Sequence, residues 1–142
     1  MKNLLSRLSL ALGFAGGLLL ATAPDPLADA AAGAEAKVTP VASEDLPNLP
    51  GNRLTSVLVE YGPGGKSAAH RHAGSVMAYV LEGAIRSQAS GGEPRIYRAG
   101  ESFFEPPGSE HLVSENASDT EPAKLLAIIV APEGARLTVF DK

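Results

Sequence analysis

The sequence predicts an all-β domain, a sandwich or barrel of short antiparallel strands, and three observations predict it. From about residue 54 onward, short segments rich in β-branched and aromatic residues recur, Gly and Pro clusters separate them, and no segment carries a helical apolar stripe. With 142 residues, 44% hydrophobic and 20% charged, the chain has the size and apolar content of one such domain.

The elements follow in order. Lys2 and Arg7 flank the start of an apolar run over 8–23, and Ala28-Asp29-Ala30 offers small residues at both key cleavage positions. Residues 1–30 are therefore expected to be a signal peptide cut after Ala30, which makes the domain exported, periplasmic or secreted. The run is short for a membrane span, and an uncleaved anchor is the alternative. Residues 31–51, rich in Ala and Pro with Pro40, Pro47 and Pro50, read as an extended tether. The domain is expected over 52–141. Within it, strands are expected at 54–61, 68–72, 76–81, 84–88, 95–98, 102–105, 111–114, 124–130 and 137–140. Between them, Gly62-Pro63-Gly64-Gly65, Glu82-Gly83, Ser90-Gly91-Gly92, Ala99-Gly100, Pro106-Pro107-Gly108 and Pro132-Glu133-Gly134 supply the backbone angles of tight turns. A barrel that closes or nearly closes would spare so many short strands their exposed edges.

Composition excludes several functions. Without cysteine there are no disulfides, zinc fingers, iron–sulfur clusters or thiol nucleophiles, so a metal would have to be held by nitrogen and oxygen. Twelve Lys and Arg against sixteen Asp and Glu give a net charge of −4, which offers no broad basic field to a nucleic acid. Gly65-Lys66-Ser67 looks like the end of a phosphate-binding loop, but Glu60 stands where the required glycine would be. No serine sits in a Gly-x-Ser-x-Gly sequence, which disfavours a serine hydrolase.

The chemistry-bearing residues are the three histidines, His70, His72 and His111. His70 and His72 form a His-x-His pair within an expected strand, so alternation turns both to one face about 6.6 Å apart. Two imidazoles so placed can lean toward one ion with bonds of roughly 2.0–2.1 Å, and His111 can supply a third ligand from a distant strand if the barrel closes. The turn Pro106-Pro107-Gly108 would fix how that strand enters.

With these residues in place, the chain resembles a small single-domain cupin. The family's first motif runs Gly, five residues, His-x-His, three or four residues, Glu, six residues, Gly, and Gly64, His70, His72 and Gly83 fall on it. The second runs Gly, five residues, Pro-x-Gly, two residues, His, three residues, Asn, and Gly100, Pro106, Gly108 and His111 fall on it, with Asn116 one place late. The resemblance implies a double-stranded β-helix, or jelly-roll, barrel holding one divalent metal ion. It departs at the carboxylate ligand: Val76 stands six residues before Gly83, where the family carries its glutamate, and Met77 is no better a donor. The expected site is therefore three-histidine, with Val76 an apolar wall.

Three neutral imidazoles leave a divalent charge uncompensated, which favours an anionic or enolate-like chelating ligand. Resemblance to cupin-like dioxygenases that cleave thiols or diketones with three histidines implies oxygen-dependent chemistry for iron. Zinc would instead lower the pKa of a bound water toward roughly 7. The residues do not choose among iron, manganese, nickel, copper and zinc. Glu105, on the strand entering the Pro106 turn, is a candidate catalytic residue that could orient a ligand or take a proton, because related three-histidine dioxygenases can carry an acidic group near there; a surface glutamate is the competing reading. Arg86 and Gln88 share one face of their strand, either inward toward a substrate carboxylate or outward and solvated. Tyr79 lies on the face opposite His70 and reads as packing.

The expected function is an exported metal-binding cupin, dioxygenase-like, acting on a small chelating organic molecule. The alternatives are a non-catalytic metal-binding or small-molecule-binding barrel, such as a periplasmic sensor, and a metal-free barrel that forms a homodimer through an outer sheet face.

Overall fold

The computed structural model describes residues 35–140, so the expected signal peptide lies outside the described residues. Among the described residues eleven strands form: β1 (Lys37–Asp45), β2 (Asn52–Tyr61), β3 (Lys66–Ser67), β4 (His70–His72), β5 (Ser75–Glu82), β6 (Ala84–Ala89), β7 (Arg95–Arg98), β8 (Ser102–Glu105), β9 (Glu110–Asn116), β10 (Ala123–Pro132) and β11 (Thr138–Phe140). No helix occurs among the described residues. One sheet runs β1-β2-β10-β5-β8 and the other β11-β4-β9-β6-β7, with β3 added beside β9. The strands pair antiparallel throughout, in the jelly-roll barrel that the turn-punctuated pattern implies.

Period-two alternation decides what each central strand buries. On β5, Val76, Ala78 and Val80 are buried while Met77, Tyr79 and Leu81 are exposed. On β10, Leu125, Ala127, Ile129 and Ala131 alternate inward in the same way. Register lays Val80 beside Leu125, Ala78 beside Ala127 and Val76 beside Ile129. Ile85 from the second sheet and Ala123 join Val80 in the core. The outward positions of β5 and β8 carry Met77 and, directly opposite it, Phe104.

The segment expected to be a tether is corrected here. Its residues Lys37–Asp45 form β1, paired with β2 from Lys37↔Glu60 to Asp45↔Arg53. Every residue of β1 is exposed, so the strand shows no hydrophobic alternation and rests on backbone pairing, with Lys37–Glu60 and Arg53–Asp45 ion pairs at its ends. Pro40 is tolerated because β1 is an edge strand, and the register shifts between Pro40 and Ala42. A second difference is smaller: the strand expected at 68–72 is shorter, β4 covering only His70–His72, and a separate two-residue strand, β3, precedes it at Lys66–Ser67.

Two turns are tied by one buried side chain. Asn116 Nδ2 donates to Gly62 O at 2.9 Å and Glu121 O at 2.7 Å, while Ser118 N donates to Asn116 Oδ1 at 2.9 Å. Asn116, displaced by one place from the motif, thus joins the turn before β3 to the one before β10. Gly64 in that first turn has φ +65°, a left-handed angle that suits glycine.

Candidate metal centre

The sequence builds the site from two neighbouring strands. His70 and His72 occupy alternate positions on β4 and face inward, and His70 is the register partner of His111 on β9. Ligand atoms of the three lie within 4.8 Å of one another, and the His70 ring centroid is 4.9 Å from that of His72 and 5.0 Å from that of His111. The spacing argument holds because β4 and β9 are adjacent in the second sheet.

Backbone carbonyls fix two tautomers. His70 Nδ1 donates to Ala68 O at 2.7 Å, and His72 Nδ1 donates to Leu137 O at 3.1 Å. A carbonyl can only accept, so in each neutral ring the Nε2 lone pair is left available, the arrangement metal-ligating histidines use. His111 is held from the other side by Ser87, whose Oγ lies 2.8 Å from His111 Nε2. When that hydroxyl accepts the Nε2 proton, the lone pair sits on Nδ1.

Glu105 faces inward and is 3% exposed, which resolves its two readings in favour of the cavity. Its Oε1 is 3.2 Å from His111 Nδ1 and its Oε2 is 4.0 Å from His72 Nε2. Oε2 is buried with no hydrogen-bond partner. Burial pushes the Glu105 carboxyl up to about 7. Burial also pushes His111 down to about 3, with His70 and His72 adding to the effect, and lowers His72 in the same way. Burial thus favours the neutral form of His72 and His111, the form that ligates a metal. Three imidazole nitrogen donors beside an orphaned carboxyl oxygen fit a divalent ion of borderline softness.

A prediction about the metal-free protein follows. Glu105 has a folded-state pKa of about 7 against an ordinary 4.5, so its contribution to stability is fully present below 4.5 and is lost as pH rises through 7. Between pH 4.5 and 7, the stability of Glu105→Gln relative to wild type is expected to rise by roughly 2–3 kcal/mol, since one pKa unit is about 1.36 kcal/mol. Chemical denaturation of both apo proteins at pH 4.5, 6 and 7.5 checks it; a difference that does not change with pH would contradict it.

Around the polar cluster lies a cavity of about 300 Å³ between the sheets. Val57, Val59, Val76, Ala78, Phe103, Leu125, Ala127 and Ile129 form its apolar wall, so Val76 takes the place expected of it. Val38 of β1 and Phe140 of β11 line it while remaining exposed, which places them at its mouth. A second polar group sits on the wall: Tyr61 Oη is 2.8 Å from Ser114 Oγ and 3.0 Å from Ser67 Oγ. No Lys or Arg is among the described lining residues.

The remaining expectations separate cleanly. Arg86 faces outward and pairs with Glu115 at 3.4 Å, and Gln88 Nε2 donates to Gly92 O, so both belong to the solvated face. Tyr79 is exposed on the outer face of β5. Sequence reasoning missed Ser87, the residue between Arg86 and Gln88, although alternation puts it inward once those two point out. It also missed Tyr61 and Ser114, whose partners come from distant strands.

Comparison with known proteins agrees with the architecture. The cupin domain profile matches residues 57–129. No curated protein sequence matches the chain. Among solved structures, an uncharacterized conserved protein with a double-stranded β-helix domain from Klebsiella pneumoniae subsp. pneumoniae MGH 78578 is 22% identical with a TM-score of 0.60, covering 76% of this chain and 85% of that one. A DMSP lyase from Ruegeria pomeroyi DSS-3 is 21% identical with a TM-score of 0.54, covering 61% of this chain and 42% of the lyase, so the chain spans less than half of that enzyme's length. An oxalate oxidase in complex with the substrate analogue glycolate is 24% identical with a TM-score of 0.56, covering 74% of this chain and 54% of the oxidase. At these identities the likeness is one of fold. The domain match over more than half of the chain, together with the barrel, establishes that this protein belongs to the cupin domain family.

Proposed function

We propose that this cupin is an exported, metal-dependent protein that holds one divalent ion through His70, His72 and His111 and acts on a small organic molecule with a chelating head. The observation that carries the proposal is the convergence of three imidazoles, their ligand atoms within 4.8 Å of one another, in a largely apolar cavity of about 300 Å³. A cavity of that size, at the lower end of ligand pockets, suits a small molecule rather than a polymer. A bound divalent ion would supply Lewis acidity to the chelated head and, if redox-active, a route for electrons to dioxygen, which is the dioxygenase-like reading.

The chain's own residues then sort the substrates. Valines and Phe103 exclude water and favour an apolar body, while the absence of Lys and Arg from the described lining leaves a second carboxylate without a partner. The substrate class is therefore an apolar body with one chelating head, such as a β-dicarbonyl, thiol or phenolic compound, and not a compact dianion such as oxalate. The proposal also takes a homodimer through the outer sheet face carrying Met77, Tyr79 and Phe104, and no nucleic-acid partner. The non-catalytic binding barrel would use the same site without turnover.

The test is a panel of chelators offered to the metal-loaded protein under oxygen electrode and thermal-melt readouts. The apolar β-dicarbonyl, thiol and phenolic members are expected to raise the melting temperature, with oxygen consumption for at least one, and oxalate to do neither. Melting shifts without turnover would select the binding barrel. A preference for oxalate would overturn the substrate class.

A further inference from the structure

Resting on the metal-dependent reading above, we propose that Glu105 is the fourth protein donor of the metal centre, its carboxylate delivered from β8 across the β5–β8 pair to the place that a carboxylate at position 76 would otherwise serve. Val76 and Glu105 are direct register partners, and both are buried on the inner face. Side chains directly opposite one another in an antiparallel pair have Cβ atoms about 4.5–5.5 Å apart, within the reach of a glutamate. The donor missing from one strand is thus available from the next.

The contacts of Glu105 distinguish a ligand from a mere support for His111. A supporting carboxylate would use Oε1 on His111 Nδ1, at 3.2 Å, and need nothing more. Oε2 would then remain buried and unpartnered. It instead faces His72 Nε2 at 4.0 Å, and that nitrogen offers a lone pair because His72 Nδ1 spends its proton on Leu137 O. Two electron-pair donors facing one gap repel each other unless a cation or a proton lies between them. A separation of 4.0 Å is too long for a shared proton. Two ligands bonded to one ion at about 2.1 Å can stand up to about 4.2 Å apart, so both Glu105 contacts fall within the span of a common ion. With Glu105 bound, a divalent centre keeps a single positive charge, and a singly charged chelating head neutralises it.

The experiment titrates Mn(II) into wild type, Glu105→Ala, and the double variant Val76→Glu/Glu105→Ala, reading affinity and the number of rapidly exchanging coordinated waters by water-proton relaxation. Melting of each apo protein verifies that it folds. Wild type is expected to bind one ion. Glu105→Ala is expected to bind at least about tenfold more weakly and to gain one exchanging water. Returning the carboxylate to position 76 in the double variant is expected to recover the affinity and remove that water. Unchanged affinity in Glu105→Ala would overturn the inference. So would weaker binding with an unchanged water count, since that identifies a support for His111 and not a ligand. Failure of wild type itself to bind Mn(II) or any other divalent ion overturns the metal-dependent reading beneath it, a result distinguishable from the other two.

Discussion

Gly74→Ala is expected to lower stability by about 3 kcal/mol or more and to depress Tm by more than about 10 °C. Gly74 lies between β4 and β5, where an added Cβ would meet Val130 O at 2.0 Å and Val130 C at 2.6 Å. Both atoms are backbone in the central strand β10, whose two sides are paired to β2 and β5, so neither can step aside without breaking register. The same residue lies in the link from β4 to β5, so metal bound per total protein should fall with the folded fraction. Gly91→Ala is the control. Its φ of +79° carries a conformational cost of about 1 kcal/mol, but an added Cβ there meets nothing within 4 Å. Thermal melts of the two variants check the pair, and equal losses would contradict the backbone-contact explanation.

Substituting His111 by alanine is expected to abolish the stabilisation that a divalent ion confers on wild type. An ion present at one hundred times its dissociation constant stabilises the folded state by about 2.7 kcal/mol, and the variant should show essentially none. His111 faces His70 across β4 and β9, so its removal takes away the one histidine that closes the site from β9. The comparison is between metal-induced shifts, which cancels any cost of the truncation to the apo fold. A full metal-induced shift in the variant would place the ion elsewhere.

How much of this was legible in the sequence depended on whether burial left a periodic trace. β5 and β10 were readable because Val76-Ala78-Val80 and Leu125-Ala127-Ile129 alternate with outward residues on a half-buried surface. The histidine trio was readable because the His-x-His spacing matches the strand period and His111 follows a turn. β1 left no trace, because its nine residues are all exposed and its pairing is a property of the backbone. Glu105 was ambiguous for a different reason. The consecutive Phe103 and Phe104 offer an aromatic to each face, so alternation through them does not say which face is inward, and only pairing with Val76 and Ala78 decides it. Arg86 and Gln88 were undecided in the same way, since Ser87 between them gives no hydrophobic signal. The Tyr61–Ser114 contact joins residues far apart in the chain and could come only from the closed barrel.

The most direct test of the central claim, that His70, His72 and His111 hold a divalent ion in the barrel, is elemental analysis of the protein exported natively and purified without a histidine tag, beside a variant with all three replaced by alanine. About one equivalent of a divalent metal per chain in wild type and none in the variant is the expected result. No metal in either protein, even after reconstitution with ferrous iron, manganese or zinc, would contradict the claim and leave a barrel that binds without a metal.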